Sequence, residues 1–263
     1  MKLAAELRAL GGALLAAASC AHADAATATS MASSVSIPVP TPAAAPRPHP
    51  AQTGSQTQVS IEAYGDSTTL GISCSDRHCA PCAQNAVAYL QDALRAAYGE
   101  RVSVVNLGVG GTMAYQLRDG TDRRGGVPWA QRLAASGAQI VTINYGINEV
   151  MHNQTPEQFY DAETALVKTA RALGKLAVLQ TSNPMPDGRL NARLAAMVEM
   201  TRRVAAEQHV PLVDQYAALS ALPAWQSMMS DGAHPKPELY RLKAAQDFRV
   251  IDPLVRQRLA SRS

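Results

Sequence analysis

Five short strand-like runs, separated by helical patterns, constrain the fold of this chain more than any other feature. The runs are Gln58–Ala63, Arg101–Asn106, Gln139–Asn144, Lys175–Gln180 and Val210–Val213. After the first run, Val87, Leu90, Leu94 and Tyr98 recur at helical spacing until Gly99. Further helical patterns cover Trp129–Ala135, Pro156–Leu173 with Thr155 as its cap and Gly174 at its end, Leu190–Gln208 and Leu239–Leu259. Strands that alternate with helices of this length pair in parallel, since each helix carries the chain back to the edge it left. The expectation is an α/β fold of three layers, a parallel sheet of about five strands with helices on both faces. Ligands of such a sheet bind in the crevice beyond the carboxyl ends of its strands.

Three small or polar loops occupy those ends. The first is Gly65-Asp66-Ser67, passing into Thr68, Thr69 and Gly71, where a tight turn leading into a helix lifts the Ser67 hydroxyl off the strand. A serine placed there suits a nucleophile, because a base and several backbone N–H groups can converge on it. It equally suits a plain turn or helix cap. The second loop, Gly108-Val109-Gly110-Gly111-Thr112, carries little side chain and offers backbone N–H groups. It is not a nucleotide loop: GxGxxG at the first strand and Gly-Lys-Ser/Thr are both missing, and no cofactor is implied. The third is Gly146-Ile147-Asn148-Glu149, where Asn148 adds an amide donor.

Near the C-terminus stands Ser230-Asp231-Gly232-Ala233-His234-Pro235. An aspartate three residues before a histidine reaches its Nδ1–H across one turn, which holds the tautomer that leaves Nε2 free to take a serine proton. Pro235 is expected in the first turn of the last helix. An ordinary capped helix start is the competing reading of this segment. The other histidines compete poorly: His22 and His49 precede the strands, His78 sits among cysteines, His209 ends a helix, and His152 has no acid at fixed spacing.

Taken together, Gly65-Asp66-Ser67, Asn106 to Gly111, Gly146 to Glu149 and Asp231 to Pro235 resemble, in order and spacing, the four blocks of the SGNH (GDSL-type) hydrolases. The resemblance covers about residues 57–260. It implies a flavodoxin-like sheet and a serine ester hydrolase. Ser67 would be the nucleophile, His234 the base and Asp231 its orienting partner. The oxyanion hole would be formed by Ser67 N–H, Gly111 and Asn148, with Gly110 replacing Gly111 if the loop is read one residue off. Asp66 would shape the turn and not serve as the acid. Two departures are Thr68 where leucine is usual and Glu149 where aspartate is common.

The first residues read differently. Lys2 and Arg8 precede the apolar run Leu10–Ser19, too short to span a bilayer, and small residues lead to Ala23, so residues 1–23 read as a secretory signal cleaved after Ala23 or Ala25. Cys20 after Ala17-Ala18-Ser19 gives an alternative, a lipid-attachment cysteine on an outer-membrane lipoprotein, although the leucine expected three residues earlier is missing. Residues 24–56, rich in Ala, Thr, Ser and Pro, read as an extended tether that buries no core. Residues 57–263 are left for one hydrolase domain, secreted or periplasmic, with no transmembrane span.

Net charge is +3 for the 263 residues, and loss of Lys2, Glu6 and Arg8 leaves +2. The basic residues are scattered, and with two Phe and two Trp neither a nucleic-acid stripe nor a base-stacking surface is indicated. Cys74, Cys79 and Cys82 lie within nine residues, and in an exported chain two of them are expected to form a disulfide that ties down the loop after Ser67. A redox CxxC at Cys79–Cys82 or a zinc cluster with His78 fits less well, for want of fold context and of a fourth ligand. The expected substrate is a small-molecule or polysaccharide ester of short acyl or acetyl groups, with Tyr64, Tyr145 and Met185 as pocket candidates. An O-acyltransferase using the same residues and a catalytically silent carbohydrate-binding envelope module are the alternatives.

Overall fold

The computed structural model describes residues 58–75, 78–123 and 125–261. The signal, the tether and Cys20 lie outside the described residues. The chain runs through strand β1 (Val59–Gly65), a single helical turn α1 (Ser67–Leu70), a hairpin of β2 (Ile72–Ser75) and β3 (His78–Pro81), and helix α2 (Ala86–Tyr98). It continues through β4 (Val102–Asn106), α3 (Ala114–Asp119), α4 (Trp129–Ala135), β5 (Ile140–Asn144), α5 (Ile147–Met151) and α6 (Pro156–Ala172). Strand β6 (Leu176–Gln180), α7 (Gly188–Gln208), β7 (Leu212–Val213), α8 (Gln215–Ser220) and α9 (Pro237–Ala260) complete it.

The main sheet has the order β4-β1-β5-β6-β7, and every neighbouring pair is parallel. This is the flavodoxin-like arrangement, in which β1 lies between the strand that follows it on one side and the later strands on the other. All five residues of central β5 are buried because the sheet is covered on both faces. Ile140 packs toward α2 and α9, beside Leu90, Leu94, Tyr240 and Ile251. Val141 and Ile143 point the other way, to Trp129 on α4, Phe159 and Leu166 on α6 and Leu194 on α7. Tyr64, Tyr145 and Met185 belong to this second core, all at most 2% exposed, so packing accounts for them, and Tyr64 also borders a surface groove with Glu62, Leu107 and Arg132.

The helix expected after the Gly65 turn is a single turn that ends at Gly71, and the disulfide hairpin follows. Two expectations change. Strand β7 is shorter than the Val210–Val213 run, since Pro211 has no N–H for the ladder, although its carbonyl accepts from Leu179 N at 3.0 Å. Pro235 is not in the last helix but pairs with Met229 in an isolated antiparallel bridge. Pro237 is the first helical residue, with Lys236 as N-cap.

Candidate active site

β1 delivers Ser67 at its carboxyl end. Asp66 is fully buried as the N-cap of α1, and its Oδ1 accepts from Thr68 N at 2.7 Å, which fixes the turn that presents the serine. Burial pushes the Asp66 carboxyl up, opposed by the hydrogen bonds from Thr68 and by the charges of Lys243 and His234. Ser67 is 9% exposed.

The loop before α9 comes up beside it. His234 Nε2 lies 2.9 Å from Ser67 Oγ, and His234 Nδ1 lies 2.7 Å from Asp231 Oδ2. The other carboxylate oxygen of Asp231 accepts from the backbone N–H groups of Ala233 at 2.8 Å and His234 at 2.6 Å. Burial raises the Asp231 carboxyl, but the bonds from the His234 ring and from these two N–H groups outweigh it, and the group stays below its ordinary value. A carboxylate so held stays charged beside the imidazole at neutral pH.

β4 and β5 bring the two remaining loops to the same rim. Val109 N donates to Gly65 O at 2.9 Å, joining the β4 loop to the serine turn. A Cβ at Gly108 would lie 2.3 Å from Leu70 N, so only glycine lets the loop lie against α1. Gly111 has φ +71, a conformation glycine adopts without strain. Gly110 lies closer to Ser67, whose Cβ would be 3.8 Å from a Cβ built there. Asn148 opens α5, and its Nδ2 donates to Thr112 O at 2.9 Å. The second contact of that amide, to Asp66 Oδ2 at 3.5 Å, is too long to hold its hydrogen away from a ligand.

Glu149 and the disulfide are the parts sequence reasoning left vague. Glu149 is fully buried and accepts from Ala114 N at 2.7 Å and Gly146 N at 2.8 Å, so one carboxyl fastens both donor loops to each other. Cys74 and Cys79 are the bonded pair, across the β2–β3 hairpin, and Cys82 is free. Cys74 N donates to Ser230 Oγ at 3.0 Å, and Cys74 Sγ lies 3.0 Å from Asp231 Oδ2. Cys74, Cys79 and Asp231 form the one close cluster of metal-type donors among the described residues, and two of its three atoms are spent in the disulfide. The spacing Cys-x4-Cys was the only sequence signal for this hairpin.

A parallel α/β sheet with a serine, a histidine and an aspartate hydrogen-bonded in series at its rim defines a serine hydrolase. The profile of the GDSL-like lipase/acylhydrolase family matches residues 63–242, and the chain belongs to that family, whose members are serine ester hydrolases. No curated protein matches the chain. Among solved structures it is similar to a catalytic mutant of Axe2, an acetylxylan esterase from Geobacillus stearothermophilus, with 20% identity and a TM-score of 0.59 over 76% of this chain and 96% of that one. It is also similar to the lipase/acylhydrolase from Enterococcus faecalis (23%, 0.58, 78% and 97%) and to TesA (23%, 0.57, 74% and 99%). At these identities the likeness concerns the fold.

Proposed function

We propose that Ser67 is the nucleophile, His234 the base, Asp231 its orienting acid, and Ser67 N–H, Gly111 N–H and Asn148 Nδ2 the oxyanion donors of an exported esterase. The observation that carries this reading is the unbroken series from Ser67 Oγ to His234 Nε2 and from His234 Nδ1 to Asp231 Oδ2, at 2.9 and 2.7 Å. Ser67 Oγ attacks the ester carbonyl while its proton passes to His234 Nε2. Negative charge grows on the carbonyl oxygen, where the three donors meet it; each such donor is worth about 10²–10³ in rate. The tetrahedral adduct collapses with transfer of the proton from His234 to the leaving alcohol, giving an acyl-Ser67 ester. Water, deprotonated by the same nitrogen, then releases the acid and restores the serine.

The substrate reading is a short acyl ester of a polar alcohol, a carbohydrate ester among them. A cleft of about 580 Å³ lies one helical turn beyond Asn148 and is lined by Met113, Tyr115, Arg118, His152, Gln154 and Gln158, together with Asn153 and Asp161. His152 Nδ1 sits 2.9 Å from Asn148 O, which ties this cleft to the donor loop. Side-chain amides, a guanidinium and one tyrosine suit hydroxyl-rich groups better than a long alkyl chain. The acetylxylan esterase among the similar structures is in keeping with that choice. Export is supported by the leader-like residues 1–23 and by the disulfide.

The test is a p-nitrophenyl ester series of rising acyl length run beside acetylated polysaccharides, with Ser67→Ala as control. Short chains and acetylated sugar are expected to be the better substrates, and Ser67→Ala to lose about 10⁶-fold in kcat with its thermal unfolding unchanged. Full activity in Ser67→Ala would overturn the nucleophile, and preference for long chains would overturn the substrate class.

A further inference from the structure

Lys243 on α9 is the least expected side chain in the molecule. It is 1% exposed, on a helix face that buries Tyr240, Ala244, Ile251 and Val255 against the sheet and carries one other buried charged residue, Asp247. A buried ammonium costs several kcal/mol of desolvation that a methionine or leucine in the same place would not. The chamber beside it, lined also by Thr68, Thr69, Val87, Leu90 and Asn144, is only about 10 Å³, room for one water at most. Hydration therefore does not offset the cost, and protein groups hold the charge.

Those groups lead to the catalytic rim. Lys243 Nζ donates to Asn183 Oδ1 at 2.9 Å. Asn183 is fully buried on the loop after β6, and its Nδ2 donates to Ala233 O at 3.1 Å, the peptide carbonyl that joins Ala233 to His234. One turn further along α9, Asp247 Oδ1 accepts from Gln180 Nε2 at 2.5 Å and Gln215 Nε2 at 2.7 Å. The charged groups that face Lys243 are Asp247 from its own helix and Asp66 from the serine turn, with His234 beyond Asp66. Burial pushes Lys243 down to about 8, against the pull of Asp247 and Asp66, and it is mostly a cation at neutral pH. Burial likewise raises Asp247 to about 6.

We propose that Lys243 is a positioning residue for the Asp231–His234 loop, acting through Asn183 as a buried strut between α9 and the Ala233 carbonyl. The loop is otherwise exposed at Asp231 and Gly232 and is held to the body from the other side by the bond from Cys74 N–H to Ser230 Oγ. The strut sets the height of His234 over Ser67, and it rests on the reading of those two residues as base and nucleophile. A misplacement of the order of 1 Å at a reacting group can cost about 10²-fold in rate, so the strut acts on kcat and not on substrate binding.

The experiment uses the full chain with p-nitrophenyl acetate and compares Lys243→Met, Lys243→Gln, Asn183→Asp and Ser67→Ala. Lys243→Met is expected to lower kcat by about 10- to 100-fold with KM within about twofold, and thermal unfolding should fall, since loss of the cation leaves the Asn183 oxygen and the buried Asp247 and Asp66 without their partner. Lys243→Gln, which keeps a donor for Asn183, should recover most of the loss, a rescue that lost packing would not give. Asn183→Asp keeps an acceptor for Lys243 but removes the donor to Ala233, and should match Lys243→Met; it carries the test if Lys243→Met does not fold. Wild-type kcat in Lys243→Met or Asn183→Asp, with Ser67→Ala inactive, overturns the strut and leaves the nucleophile standing. Activity surviving in Ser67→Ala overturns the site reading itself, and the strut with it.

Discussion

The two halves of the candidate site are built in opposite ways. Ser67, the β4 loop and the β5 loop sit directly on the ends of three adjacent strands of the sheet, tied by backbone bonds such as Val109 N to Gly65 O and by the shared carboxyl of Glu149. The Asp231–His234 loop leaves the sheet, follows a 3-10 turn at Trp225–Met228, is closed on itself by Ser230 N to His234 O and the Met229–Pro235 bridge, and is docked on the body by the Cys74 N–H on one flank and Asn183 with Lys243 on the other. A strand end fixes a position by the cooperative ladder behind it, whereas a closed loop docked by a few contacts is placed only as firmly as those contacts. The donors are therefore preorganised by the fold, and the base by supplementary fasteners.

Replacing Asp231 by Asn tests the loop half most severely. The carboxylate accepts from His234 Nδ1 and from two backbone N–H groups at once, and an amide can accept from the backbone while presenting its own N–H to the ring. The imidazole would then be held in the wrong tautomer. Loss of about 10⁴-fold in kcat is expected with the loop still folded, read in the steady state on p-nitrophenyl acetate. A silent Asp231→Asn would mean that the backbone alone orients His234, and the loop would be as self-sufficient as the strand ends.

The hairpin contact should matter less. Replacing Cys74 and Cys79 together by Ser removes the cross-link beside Asp231 and leaves Cys82 as the remaining cysteine near the rim. Closing so short a loop is worth about 2 kcal/mol, so thermal unfolding should fall, and kcat should fall a few-fold because one of the two fasteners of the loop is slackened. Thiol reductant on the wild type should reproduce the effect reversibly, while Cys82→Ser should not. Equal activity before and after reduction would make the hairpin a stabiliser only.

What the sequence revealed follows the same division. The strand–helix alternation gave the sheet, and the rim loops at Gly65, Gly108 and Gly146 were legible because glycine and small polar residues mark where β strands hand over to turns. The pairing of Asp231 with His234 was legible because its spacing is local. The fasteners were not: Glu149 reaches Ala114 across 35 residues, and Lys243 reaches Asn183 across 60. Side-chain bonds of that separation leave no period and no motif. Lys243 falls on the buried stripe of α9, but a lysine there reads by its type as a solvent-facing residue, and Pro235 looked like a helix start because Pro237, two residues on, was the one in use.

Glu149 gives the finest probe of the strand-end half. Burial raises its carboxyl from 4.5 to about 7, against the pull of the Ala114 and Gly146 N–H groups and with a push from Asp66. Between those two values the folded protein keeps a proton that the unfolded chain has released, so the stability tied to this proton is complete below about 4.5 and is lost as pH rises through about 7. Asp247, raised to about 6 by burial, slopes the same way at lower pH, and the depressed Asp231 slopes the opposite way. The informative quantity is thus the difference between wild type and Glu149→Gln in thermal unfolding across about pH 4.5 to 7.5. The glutamine of that variant does not titrate, so the wild type should lose up to about 3 kcal/mol relative to it over that window. Parallel curves would mean that Glu149 is ionised throughout, in which case a permanent carboxylate, and not a neutral acid, fastens the two donor loops.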